Sequence, residues 1–161
     1  MINPPPPAEL LIELGRFRDR VAALPLDDTD AWQTRPAPDA WSLGEVLCHL
    51  RDVEREVHQP RIAAVLTEDR AFLQGVNADE WAEPRDYCNQ DAPEAQAGYL
   101  AARDATIVSL RDLPAEAWQR QGQHTFFGPT TLQELVFLVV QHDRVHDKQI
   151  AALTEPLIPP G

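Results

Sequence analysis

Apolar residues recur at intervals of three and four along four stretches of this chain, and prolines stand in the gaps between them. In the first stretch Leu10, Leu14, Phe17, Val21 and Leu24 step by 4, 3, 4 and 3, which is one face of a helix over residues 8–24. The second opens at Ser42 with Glu45 three residues on, the pattern of a capping box, and continues with Val46, Leu50, Val53 and Val57. It ends near Gln59 or runs through a kink at Pro60 to about Leu66. The third starts at an Asp91 N-cap with Pro93 in its first turn and reaches Leu113. Its stripe of Tyr99, Thr106, Leu110 and Leu113 is the faintest of the four. The fourth opens after Gly128-Pro129 and reaches about Leu153. Strand alternation is absent.

Four amphipathic helices predict an all-α four-helix bundle. A single domain over residues 1–161 is expected, with its core at about 8–153. The proline-rich ends (Pro4 to Pro7, then Pro156, Pro159 and Pro160) should be extended. The link between the second and third helices, residues 67–90, is long. Such a link crosses from one end of a bundle to the other or covers a site. Its Phe72, Leu73, Trp81 and Tyr87 are expected to pack beneath the crossover.

Charge narrows the function classes. The 161 residues carry 14 basic and 26 acidic side chains, for a net charge of −12, and Lys148 is the only lysine. Such a surface repels phosphate backbones and anionic lipid, so neither nucleic acid nor membrane is an expected partner. The longest apolar run, Leu135 to Val140, is far short of the ~20 residues of a membrane helix. The first residues have no basic segment followed by an apolar one, so no secretory signal is expected. Cys48 and Cys88 make no disulfide framework, and a reduced cytoplasm is the natural setting.

Candidate chemistry lies on the fourth helix. Its stripe reads Leu132, Leu135, Val139, His142, His146, Gln149, Leu153, so two histidines sit where a core should be. Burying two imidazoles costs free energy unless their nitrogens find partners. At i and i+4 both rings can reach one metal ion. The competing reading is a wet bundle end in which they bond each other or acids. His49, between Val46 and Val53, strengthens the metal reading. It lies about 10 Å down its helix, level with His146 if the second and fourth helices are antiparallel. A long crossover between helices two and three makes them so. His58, nine residues from His49, is about 180° round an ideal helix and should face away. His124, in the loop before the fourth helix, is a candidate contact from above the site.

These residues resemble a family. The stretch Trp41-Ser42-Leu43-Gly44-Glu45-Val46-Leu47-Cys48-His49-Leu50 resembles the second-helix signature of the DinB-like superfamily. Gly128 to Leu135 followed by His142 to Ile150 resembles its fourth-helix signature. The resemblance implies an up-down-down-up bundle with a divalent metal at one end, held by His49, His142 and His146. It implies thiol-dependent transferases or isomerases using bacillithiol, mycothiol or glutathione, or amide hydrolases, and homodimers are common among such proteins.

Three neutral imidazoles leave coordination positions open for water or substrate, a catalytic geometry. The ion keeps its full charge and acidifies a bound thiol or water. A thiolate attacking a small-molecule electrophile gives thiol transfer; hydroxide attacking an amide gives hydrolysis. Hydrolysis benefits from a carboxylate base. Glu45, at i−4 from His49, is the nearest candidate, although its capping role already accounts for it. Asp143 and Asp147 point about 100° off the ligand direction and suit supporting or surface roles. Gln149 can orient His146 or touch substrate. Without a clear base, a transferase using a low-molecular-weight thiol is the favoured expectation, ahead of a hydrolase. A non-catalytic metal-binding or dimeric stress-response bundle, its pocket missing or closed by Trp81, Tyr87 or Trp118, is the third reading. Imidazole ligands suit zinc, nickel, copper and iron(II) alike.

Overall fold

The computed structural model describes residues 3–155. The expected prolines Pro156, Pro159 and Pro160, and the start at Met1 and Ile2, lie outside the described residues. Helix α1 spans Pro7–Ala22, with Pro7 in the first turn, where its missing N–H costs nothing. It buries Leu10, Leu14, Phe17 and Val21, the predicted face. A short helix α2, Thr29–Gln33, is capped by the Asp28 carboxylate and seats Trp32 in the core against Gly44.

Helix α3, Leu43–Val53, begins with the capping box the sequence predicts: Glu45 N–H donates to Ser42 Oγ, and Ser42 N–H donates to the Glu45 carboxylate. It does not stop at Pro60. A π-helical turn over Glu54–His58 joins it to α4, Gln59–Thr67, as one rod. Pro60 has no N–H to give the Glu56 carbonyl, and the wider turn just before it absorbs the mismatch.

Helix α5 spans Ala92–Arg111 from the predicted Asp91 cap. Helix α6, Ala115–Trp118, is one turn. Helix α7 runs Leu132–Thr154 from a second capping box, Thr131 with Glu134.

The described residues are mostly helical, but they are not all-α. Three short strands, β1 (Phe72–Leu73), β2 (Gln121–His124) and β3 (Gly128–Thr131), form a sheet in the order β1-β2-β3. β1 pairs parallel with β2, and β2 antiparallel with β3. Strands of two to four residues are too short for alternation to register. Pro129 is tolerated because β3 is an edge. Gly128, at φ +69°, closes the hairpin.

Side-chain contacts fix the directions of neighbouring helices. Gln96 reaches the Val21 carbonyl and Arg103 that of Leu14, so α1 and α5 are antiparallel. Gln59 reaches the Ala102 carbonyl and Arg51 lies against Gly98, so the α3–α4 rod and α5 run the same way. His49 lies against His146 and His58 against His142, so that rod opposes α7. The long link 67–90 carries the chain back between two parallel neighbours.

A polar band divides the core. On one side lie Phe17, Val46, Leu50, Tyr99 and Ile150; on the other lie Leu10, Leu14, Ile62, Leu110, Leu135 and Val139. Between them the Arg103 guanidinium, 1% exposed, donates to both oxygens of Glu54 (3.0 and 2.9 Å) and both of Asp143 (2.7 and 3.0 Å). Thr106 also donates to Glu54, at 2.6 Å. The band leads from the bundle axis to the histidines.

Candidate metal centre

The predicted residues converge. His49 comes from the middle of α3, and His142 and His146 from one face of α7. The Nε2 atoms of His49 and His142 are 3.3 Å apart, and those of His142 and His146 are 3.2 Å apart. One ligand atom from each ring falls within 4.8 Å of the others. Ligands of a tetrahedral ion at Zn–N distances of about 2.0–2.1 Å stand about 3.3–3.4 Å from one another. Two of the three pairs stand at that spacing, and with all three atoms within 4.8 Å a small shift of the rings brings them onto a single divalent ion.

Protons give an independent test. His146 Nδ1 lies 2.8 Å from Gln149 Oε1, which only accepts, so Nδ1 carries the proton and Nε2 is a bare lone pair. His142 Nε2 must then donate to His146, and the same proton cannot also serve His49. Three neutral rings cannot satisfy both contacts well, whereas one cation satisfies all three. The buried Nδ1 atoms of His49 and His142 have no hydrogen-bond partner.

Burial also keeps the rings neutral. Desolvation, with help from the neighbouring imidazoles, pushes His49 down to about 3. Desolvation likewise lowers His142 and His146, the Gln149 bond opposing it at His146. Neutral imidazole is the form that binds metal.

Gln149 thus orients a ring, one of the two roles considered for it. Glu45 is spent: its carboxylate is 1% exposed, accepts from Ser42 and pairs with Arg35 at 2.8 and 2.5 Å. It is no base for this site. His124, at the end of β2, is buried in the wall of the adjoining cavity, with its Nδ1 accepting from the Phe126 N–H at 3.2 Å. Asp143 is consumed by Arg103, and Asp147 pairs with Arg20 at the surface.

One expectation is corrected. His58 does not face away from the histidines. It is buried, lines the same cavity, and meets His142 edge to face with ring centroids 5.1 Å apart. The π-turn inserts the equivalent of one residue into the helical count, which turns an offset of about 180° into about 80°. His58 Nδ1 lies 3.0 Å from the Glu54 carboxylate, leaving Nε2 unengaged. The pair Arg103 and Glu54 also escaped the sequence reading. The signal was the gap in the third stripe between Tyr99 and Thr106, which Arg103 fills at i+4 and i−3.

Over the histidines opens a cavity of about 450 Å³. Val53, Val57, Leu135, Leu138 and Phe127 make much of its wall; Arg61 and Asp79 are its ionic residues besides the histidines. The link 67–90 supplies Gly75 to Asp79, so it covers the site as well as crossing the bundle. Trp81, Tyr87 and Trp118 do not line the cavity and do not close it. Tyr87 is instead buried, its hydroxyl donating to Asp52 at 2.7 Å, and Trp118 is in the core.

The superfamily model matches residues 9–150. The chain belongs to the DinB superfamily. No curated protein matches it in sequence. YfiT from Bacillus subtilis, described as a probable metal-dependent hydrolase with an unusual four-helix bundle topology, superposes with a TM-score of 0.81 at 19% identity, over 98% of this chain and 90% of that one. A mycothiol-dependent maleylpyruvate isomerase gives 0.66 at 10% identity over 88% of this chain and 59% of its own length. A DinB-like protein from Bacillus cereus ATCC 10987 gives 0.60 at 16%, over 96% and 93%. At these identities the likeness is one of fold: YfiT, on which this chain superposes, is described as a four-helix bundle, and this member of the DinB superfamily is mostly helical. None of its described helices is long and apolar enough to cross a membrane.

Proposed function

We propose that this DinB-superfamily chain is a metal-dependent enzyme in which His49, His142 and His146 hold one divalent ion and a low-molecular-weight thiol is turned on an electrophile. The observation that carries it is the convergence of three Nε2 atoms at ion-sharing distance on the floor of an open cavity. A divalent ion there, held by neutral ligands, supplies the charge that acidifies a bound thiol or water. The chain's own groups do the rest. Gln149 holds His146 in the tautomer that offers Nε2. The Glu54 carboxylate, itself locked by Arg103, holds the proton of His58 on Nδ1, so that His58 Nε2 accepts the proton the nucleophile gives up. The apolar walls exclude water from around the thiolate, and the volume admits both thiol and electrophile.

His58 also favours a second reading, amide hydrolysis. The expectation of thiol transfer leaned on the lack of a base, and the Glu54–His58 pair is one. YfiT, described as a probable metal-dependent hydrolase, and the mycothiol-dependent isomerase stand on either side of this choice. The pairwise helix directions support the up-down-down-up order. A single cytoplasmic domain acting as a homodimer completes the proposal, and light scattering tests the dimer.

The test is elemental analysis of untagged protein, followed by an activity screen. One zinc, nickel or iron(II) per chain is expected, lost in His142→Ala together with turnover of an electrophile by added thiol. Protein with no bound metal after purification and reloading sinks the metal reading. Amide cleavage without thiol replaces transfer by hydrolysis.

A further inference from the structure

The cavity wall holds a cation with nothing to neutralise it. Arg61, on α4, lines the cavity and is half-buried. Its Nη2 donates to the Gln74 carbonyl at 2.5 Å, and among the described residues it makes no ion pair. Burial alone acts on its charge and pushes its pKa down, with no carboxylate near enough to offset it. The other buried and half-buried arginines among the described residues are treated differently: Arg18, Arg20, Arg51, Arg85 and Arg103 all pair with carboxylates. In a chain with 26 acidic residues, a partly desolvated guanidinium facing a cavity and lacking an acid is an unpaid cost unless a ligand supplies the anion.

Much of the cavity wall besides Arg61 is apolar and aromatic, with Val57, Leu135, Phe126 and Phe127. The other ionic wall residue, Asp79, acts on His146. Arg61 acts on His124, and it forms no ion pair with Asp79. Gln74 pins one nitrogen and leaves the remaining N–H groups of a rigid planar fork, which suits a carboxylate held by two bonds.

We propose that Arg61 is a specificity residue, and that the electrophile this cavity accepts has an apolar body and a carboxylate that docks on its guanidinium. This deepens the reading of the cavity as the active site. It names a substrate class, carboxylate-bearing electrophiles, and assigns the recognition of the carboxylate to the wall and not to the histidines.

The experiment compares 4-phenylbutanoate with its uncharged amide by calorimetry. The full-length wild type, Arg61→Gln and Arg61→Lys are each titrated after chelator treatment and again after zinc loading. In chelator-treated wild type the carboxylate should bind about tenfold more tightly than the amide, as charge-assisted hydrogen bonds allow. Arg61→Gln should bring the two within about twofold, and Arg61→Lys, which keeps the charge but loses the fork, should retain part of the preference. No preference in chelator-treated wild type overturns the proposal, and so does a preference that Arg61→Gln leaves intact. A preference that appears only with zinc and survives Arg61→Gln assigns the carboxylate to the ion, which also overturns it while sparing the metal reading. An Arg61-dependent preference in protein that takes up no zinc on loading supports it and sinks the metal reading alone.

Discussion

Replacing Arg103 by methionine tests whether the polar band is structural. Arg103 is 1% exposed and meets two carboxylates that are themselves buried, through four charge-assisted hydrogen bonds. Methionine fills much of the volume and removes the charge, leaving Glu54 and Asp143 buried without their cation. Removing one partner of a buried pair costs about 3–5 kcal/mol. That is a large part of the ~5–15 kcal/mol that holds a domain folded, and on a chain of this size it lowers Tm by about 10 °C.

The pH dependence separates this cause from simple loss of packing. In the wild type Arg103 outweighs burial and holds the Glu54 carboxyl well below its ordinary range. A depressed folded pKa contributes stability that is present above the unfolded value and lost as pH falls through the folded one. In Arg103→Met burial is opposed only by the hydrogen bonds from His58 and Thr106, the folded pKa of Glu54 rises, and protonation in acid relieves the buried charge. The deficit should therefore shrink between pH 7 and pH 5. Urea denaturation of chelator-treated proteins measures it at each pH. Neutralising all three groups together (Arg103→Met, Glu54→Gln, Asp143→Asn) should cost less than Arg103→Met alone. A deficit below about 1 kcal/mol at pH 7, or one that widens in acid, would refute the reasoning.

Three other outcomes are expected. Metal-free protein should lose stability from pH 7 to pH 5, because burial holds the folded pKa values of His49, His142 and His146 below the ordinary imidazole value and the unfolded chain binds the extra protons. The slope reaches at most about 1.4 kcal/mol per pH unit per histidine, and a flat profile by chemical denaturation contradicts it. Gln149→Ala frees the His146 ring and should weaken zinc about 10- to 100-fold by competition titration, while metal-free stability stays close to wild type. Gly122→Ala should cost about 1–3 kcal/mol in urea, since a Cβ there would lie 2.8 Å from Leu73 Cδ1 and 3.1 Å from the Ala71 carbonyl; a neutral result would mean that β1 and β2 separate freely.

The four long helices, the Ser42 capping box and the three-histidine cluster were legible in the chain itself. Each depends on residues a few positions apart, or on a stripe whose period is that of the helix: Ser42 with Glu45, His142 with His146. The depth of His49 followed from counting residues at a constant rise. Tertiary structure decided the rest. The sheet joins residues 72–73 to 121–124, and strands so short carry no periodic signal of their own. His58 entered the cavity because a π-turn broke the count at the one place where its orientation was being reckoned. Arg103 found Glu54 and Asp143 from two other helices, and Arg61 was left in the cavity wall without an acid, because pairing between distant side chains is set by how the helices pack. Local periodicity determines which faces are apolar and where helices begin; which charged groups meet inside depends on rotations and offsets between helices that no single stretch of sequence contains.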